Sequence, residues 1–321
     1  MRYRTFGRTG WQVSEVGYGM WGMAGWTGSD DAQSLQSLDR AIELGCNFFD
    51  TAWAYGEGRS EQLLGKTLQR HRGKQLYVAT KIPPRNRRWP AKREYTLDDV
   101  FPPDHIREYT EKSLRNIGVD TLDLQQFHVW TDEWSSDRRW QKAVEALKDE
   151  RLIRAFGISV NRREPANVLR ALQSGLVDAV QVVYNIFDQA PEDELFPYCL
   201  EHQIAIIARV PFDEGSLTGT LTPTARWPEG DFRNLYFDAA NLAATLPRVA
   251  RLRSILPDGM SMPELALRHI LQDPAVSTVI PGMRKLAHVE QNLAVSDGRT
   301  LPAPLMAELK AHRWDRPDHC A

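Results

Sequence analysis

Two hydrophobic rhythms alternate along this chain. Short β-branched or aromatic runs, as expected of buried strands, take turns with stretches where apolar residues recur every third or fourth position, as on one face of a helix. YRTF (3–6) and QVSEV (12–16) flank Gly7–Gly10 and predict a β-hairpin. VGYGMW (16–21) precedes a helix that starts near Ser29–Asp31, carries Leu35, Leu38 and Ile42 at helical spacing, and stops at Gly45. The same alternation then repeats. FFDTA (48–52) precedes SEQLLGKTLQ; LYVATKI (76–82) precedes a Pro/Arg/Trp loop and the helix HIREYTEKSLRNIG. DLQQFHV (123–129) precedes WQKAVEALKDERLI, AFGISV (155–160) precedes PANVLRALQSG, and AVQVVYNI (179–186) precedes DELFPYCLEHQ. AIIARV (205–210) leads into a loop of about thirty residues, long enough to suggest a function, and then helices from about 237 to 273. VSTVIPG (276–282), KLAHVEQNLAV and a last helix ending near Trp314 complete the pattern.

Eight strand–helix units after a hairpin predict a closed parallel (β/α)8 barrel with extra C-terminal helices, whose active site lies at the C-terminal ends of the strands. A doubly wound sheet fits less well. No GxGxxG follows the first strand, and GYGMWG puts an aromatic and a Met where a phosphate turn needs small residues. No break in composition marks a linker, so residues 1–321 read as one domain.

Composition narrows the partners. Charged residues make up 26% of the chain and the net charge is −2, without the basic stripe that nucleic acid requires. The one basic cluster, RNRRWPAKR, reads as a solvated loop. Cys46, Cys199 and Cys320 are widely spaced without CxxC, which suggests reduced thiols and neither a disulfide frame nor a metal site. No apolar run has signal-peptide or membrane-spanning length, so the expectation is a cytoplasmic protein away from membranes.

Four polar residues fall where a barrel places its chemistry. Asp50 ends the second barrel strand, Tyr55 lies just beyond, Lys81 ends the third and His128 the fourth. Lys81 interrupts the apolar run LYVATKI; buried there it needs a carboxylate, and Asp50 on the neighbouring strand is the natural one. A lysine beside a tyrosine favours the phenolate and lowers its pKa, making the phenol a usable proton donor; His128 would orient a carbonyl oxygen. Each residue alone also has an ordinary structural role: a turn cap, a loop aromatic, a snorkelling lysine, a satisfied imidazole. Their convergence on three adjacent strands gives the pattern its weight.

At these residues the chain resembles the aldo-keto reductase family. FFDTAWAYGEGRSEQLLG (48–65) is similar to the family signature, and ATKI, LQQFHVW and FGISVN follow in the family's order. The resemblance implies reduction of a small aldehyde or ketone by NADPH, with Tyr55 as general acid, Lys81 and Asp50 in support, and His128 positioning the carbonyl. It implies cofactor contacts from Ser159, Asn161 and Gln181, from a pyrophosphate loop containing Gly215, Ser216, Leu217 and Gly219, and from Gly282, Arg284, His288 and Asn292 around the adenosine half. Independently, Gly215 to Gly219 offer backbone N–H groups as an anion cradle, and Arg284 beside Lys285 before a helix suits a 2′-phosphate. Two positions depart from the family pattern. Arg209 stands where relatives carry an aromatic that stacks on the nicotinamide; its guanidinium would either stack likewise or turn aside to Asp213 or Glu214. His288 replaces a usual Gln. Trp21, Trp53, Trp89 and Trp130 follow the first four strands and would wall a substrate pocket, although core packing explains any one of them.

Two other readings compete with the enzyme. A redox-sensing module resembling the potassium-channel β-subunit would keep barrel and cofactor, but a first strand beginning near Tyr3 leaves no inactivation-like extension ahead of it. A metal-dependent barrel hydrolase would need His/Asp clusters at several strand ends, and the sequence has one His there and no HxH.

Overall fold

The computed structural model describes residues 1–24 and 28–316; Cys320 lies outside the described residues. Strands β1 (Tyr3–Thr5) and β2 (Gln12–Ser14) form the antiparallel hairpin. Eight parallel strands follow: β3 (Tyr18–Gly19), β4 (Phe48–Asp50), β5 (Tyr77–Ile82), β6 (Leu122–Phe127), β7 (Ile153–Ser159), β8 (Ala179–Val183), β9 (Ala205–Arg209) and β10 (Val276–Val279), each paired with its neighbour in sequence order. Parallel bridges Val16 to Val279 and Gly19 to Gly282 bring the last strand against the first, which closes the (β/α)8 barrel. Closure depends on Gly19, where a Cβ would stand 2.5 Å from the Ile280 carbonyl oxygen.

The hairpin plugs the N-terminal end. Phe6, Trp11 and Val13 pack into one cluster with Phe48, Tyr77, Ala79, Leu124, Ala155, Ala179, Ala205, Ile207 and Ile280. The alanines on four of these strands leave the room that Phe6 and Trp11 fill. A second, larger core lies between the strands' outer faces and the helices, which include Asp31–Glu43, Arg59–Arg70, Pro103–Ile117 and Arg138–Asp149.

Several expected helices are shorter in the structure. Of PANVLRALQSG only Leu169–Leu172 is helical. Asn167 upstream is turned to other work: its Nδ2 donates to Glu164 at 2.8 Å and its Oδ1 accepts from the Asp132 N–H at 2.9 Å, side-chain bonds that compete with helix. The last helix, Ala303–Lys310, ends before Trp314, whose N–H donates to the Phe187 carbonyl at 2.8 Å. No helix of the described residues is long and apolar enough to cross a membrane.

Candidate active site

Side chains of a strand alternate between its faces. Two residues beyond the apolar layer that the hairpin plugs, the inward positions turn polar: Asp50 after Phe48, Lys81 after Ala79, Gln126 after Leu124, Gln181 after Ala179, Arg209 after Ile207. Gly157 makes room for this layer, since a Cβ there would stand 3.0 Å from the Gln126 Cγ.

Lys81 is fully buried and all three protons of its ammonium have acceptors. Nζ donates to Asp50 Oδ1 at 2.5 Å, to the Thr51 carbonyl at 2.8 Å and to Tyr55 Oη at 3.4 Å. The other Asp50 oxygen accepts from Gln181 Nε2 at 2.7 Å and Gln126 Nε2 at 3.3 Å. Tyr55 is held by the turn after β4, its N–H on the Ala52 carbonyl at 3.1 Å. Because its oxygen accepts from Lys81, the phenol retains its own proton to give. The net pKa direction is opposite to the sequence expectation. Burial pushes the Tyr55 phenol up and outweighs the lowering pull of Lys81 and Arg209, so the protonated form is the resident one. His128 stands edge-on to Tyr55 with ring centroids 5.7 Å apart, and its buried Nδ1 has no hydrogen-bond partner. Burial, with Lys81 and Arg209 nearby, holds this imidazole well below its usual value, hence neutral.

The remaining predicted residues divide. Arg209 closes the far side of the mouth and pairs with neither Asp213 nor Glu214. Its Nη2 donates to the Val160 carbonyl at 2.9 Å, and its buried Nε has no partner. Ser159 and Gln181 are buried in the barrel, Gln181 with its amide on Asp50. Asn161 exchanges two hydrogen bonds with the backbone of Ala91, at 2.9 and 3.2 Å, and so ties the loop after β5 to the end of β7.

The loop after β9 is more committed than its glycines suggest. Gly215 and Leu217 N–H both donate to the Phe212 carbonyl, the Leu217 side chain is in the core, and Ser216 Oγ donates to Asp213 at 2.6 Å. Gly219 turns the chain at φ 77°. Asp213 in turn binds Arg316 at 2.7 Å and Tyr236 Oη at 2.5 Å, while Arg162 pairs with Glu214. Gly282 lies on the closing seam and half-buried Arg284 donates to the Gly22 carbonyl at 3.3 Å. His288 is exposed on the helix Leu286–Ala294, whereas Asn292 of that helix is buried.

Of the tryptophans, Trp89 stands edge-on to His128 with centroids 5.7 Å apart, at the mouth. Trp21 is 40% exposed beside Phe232, and Trp53 packs on Tyr109 under the Arg87 guanidinium. Trp130 does not wall the mouth. It is fully buried among Phe127, Trp134 and Trp140, with its indole N–H on Asp132 at 3.0 Å, so core packing accounts for it. Sequence reasoning missed Gln126, although a QQ pair inside a buried strand was a signal. It also missed the Arg162–Asp213–Tyr236–Arg316 cluster, which has no local one.

A model of the Aldo/keto reductase family matches residues 15–313. The chain belongs to that family. It is 33% identical over 312 residues to the uncharacterized oxidoreductase YqkF of Bacillus subtilis, covering 97% of this chain and 96% of that one. It is 27% identical over 309 residues to the NADH-specific methylglyoxal reductase of Escherichia coli, covering 92% and 93%. The holo form of aldo-keto reductase AKR11C1 from Bacillus halodurans superimposes with a TM-score of 0.77 at 26% identity, over 100% of both chains. This family placement makes the chain an oxidoreductase and does not favour the channel-subunit reading.

Proposed function

We propose that this aldo-keto reductase reduces a small aldehyde or ketone to the alcohol with NADPH, and that Tyr55 is the general acid. The observation that carries the reading is the direction of the hydrogen bond at Tyr55, which accepts from Lys81 and keeps its own proton for a substrate oxygen. The nicotinamide supplies the hydride when bound. Proton transfer leaves a phenolate, which the Lys81 ammonium 3.4 Å away stabilises while Asp50 neutralises that ammonium. His128, neutral and with an unpartnered ring nitrogen, donates to the carbonyl oxygen and fixes its approach to Tyr55.

Unpartnered buried nitrogens at the mouth, His128 Nδ1 and the donor Arg209 Nε, fit a polar ligand with a flat ring. Ser159, Asn161 and Gln181 would meet the carboxamide end and Arg209 the ring face. The loop with Gly215, Ser216, Leu217 and Gly219 would hold the pyrophosphate, and Gly282, Arg284, His288 and Asn292 the adenosine end. For Asn161 this role requires releasing Ala91. The choice of NADPH rests on Arg284 and Lys285 preceding the helix Leu286–Ala294, where charge and helix N-terminus both suit a 2′-phosphate. Trp21, Trp53 and Trp89 would border the substrate.

The test is a spectrophotometric NADPH assay on generic aldehydes with wild type and Tyr55→Phe. The Phe variant is expected to keep cofactor affinity and lose roughly 10²–10⁴-fold in kcat, the weight of a positioned general acid. Near wild-type turnover by the variant ends the assignment.

A further inference from the structure

We infer that the substrate molecule carries a carboxylate, and that Arg209, its face on the nicotinamide and its edge N–H groups toward the substrate, reads that group with the arginines of the loop after β5. The inference rests on the reductase reading and adds a substrate class to it. Arg209 is a cation without a salt-bridge partner, with Glu214 and Asp50 acting on it only from longer range. Among the described residues no carboxylate lies within 4.0 Å of it. The acidic side chains around the mouth are already taken, Asp50 by Lys81, Glu214 by Arg162 and Asp213 by Arg316. One of its five donors meets the Val160 carbonyl and the buried Nε meets nothing.

A half-buried guanidinium with no salt bridge and a buried, unpartnered Nε invites an anion. Burial pushes its pKa down only to about 10, so it stays charged at neutral pH. It ends β9 in the inward polar layer that also holds Asp50 and Lys81, and its charge reaches both Tyr55 and His128.

The opposite rim has the same sign. Trp89 reaches His128, and the two residues before it, Arg87 and Arg88, are exposed. Arg87 lies over the Trp53 ring at 4.8 Å and donates to Tyr109 Oη at 3.1 Å. Among the described residues neither arginine has a carboxylate within 4.0 Å, whereas Lys92 and Arg93 of the same loop do, in Glu94 and Glu164. These rim cations follow β5, away from the segments after β9 and β10 that the cofactor phosphates would use. Their field therefore draws an anionic substrate toward a fork whose planar geometry matches a carboxylate.

The experiment compares each acid with its own methyl ester: succinic semialdehyde with methyl 4-oxobutanoate, and 4-carboxybenzaldehyde with methyl 4-formylbenzoate. At low salt the acids are expected to show a kcat/KM about tenfold or more above the esters, narrowing as salt is added. In Arg209→Gln that ratio should fall at least about threefold, the charge-assisted contact being gone while the rim arginines remain. In case Arg209→Gln does not fold, Arg87→Gln/Arg88→Gln on the exposed loop should lower the ratio at least about threefold. Esters reduced as well as acids by wild type, or a ratio that survives these substitutions, would overturn the inference and leave the reductase standing. Calorimetric titration of the NADPH-loaded protein with 4-(hydroxymethyl)benzoate and with its methyl ester reads the contact without turnover. If no aldehyde is reduced the reductase reading fails, and equal binding of acid and ester still overturns this one.

Discussion

Replacing Lys81 by Met keeps the length of the side chain and removes its charge from a site where Lys81 is fully buried and Asp50 nearly so. Breaking a buried pair on one side costs about 3–5 kcal/mol, because the other charge is left behind. Two features set the value here. Asp50 retains the amide donors of Gln181 and Gln126 on its second oxygen, which holds the loss toward the lower end. Asp50 also escapes by binding a proton. Holding a carboxyl of unfolded pKa near 3.9 protonated at pH 7 costs about 4 kcal/mol, and at pH 5.5 about 2 kcal/mol, which caps the deficit at each pH. The sign follows: in the variant the folded-state carboxyl is raised above its unfolded value, so the deficit grows as pH rises and shrinks as it falls. Lys81→Met is therefore expected to lose about 3–4 kcal/mol at pH 7 and no more than about 2 kcal/mol at pH 5.5. Adding Asp50→Asn should recover most of the stability and none of the activity, since Tyr55 would still lack its ammonium. Urea unfolding at the two pH values, followed by circular dichroism and tryptophan fluorescence, measures all three variants. A deficit under about 1 kcal/mol at pH 7, one that does not shrink at pH 5.5, or a double variant no more stable than Lys81→Met would refute the reasoning.

Three further outcomes are expected. With the Tyr55 phenol pushed up and the His128 imidazole held well down, kcat/KM for reduction should stay level from about pH 6 to 9, and a titration near 6.5 would show that His128 is not neutral. Arg284→Ala should weaken NADPH by about 2–4 kcal/mol and leave NADH nearly unchanged; equal losses in a fluorescence titration would take the 2′-phosphate away from Arg284. His269 is buried with neither ring nitrogen partnered and has its pKa pushed down to about 4. The unfolded chain thus binds more protons below pH 6.5, and His269 should contribute a loss of about 2 kcal/mol between pH 7 and pH 5, a part of the acid slope that His269→Leu should remove while the part due to His128 remains.

The barrel and the Asp50–Lys81–Tyr55–His128 constellation were both legible because each rests on local periodicity. Eight apolar runs separated by amphipathic helices fix strand order when neighbours in sequence are neighbours in space. A lysine or histidine at the end of a buried run also announces itself by breaking the pattern. The direction of the Tyr55 shift was not legible. Lys81 was visible in the sequence, but the depth at which the turn after β4 buries the phenol depends on walls brought in from other strands, and that burial outweighs the lysine. Trp130 shows the same limit from the other side. A tryptophan after β6 reads as pocket or core until Phe127, Trp134 and Trp140 are seen to surround it.

The loop after β9 shows why its glycines alone did not describe it. Gly215 and Gly219 do adopt positive φ, but so do Val210, Asp213 and Glu214, residues that seldom do so without being held there. What holds them is distant in sequence. Asp213 is gripped by Arg316, 103 residues further on, and by Tyr236, while Glu214 is gripped by Arg162 from the end of β7. The loop that would cover the pyrophosphate is thus fastened by an ionic cluster reaching from the segment after β7 to the last described residue. A ligand entering beneath it would have to displace none of these bonds or exchange them for its own. Because the Ser216 hydroxyl is spent on Asp213 and the Gly215 and Leu217 N–H groups on Phe212, anion recognition here would fall to the remaining backbone N–H groups of the turn. The sequence pattern GSLTG therefore marks a turn geometry more than a set of side-chain ligands.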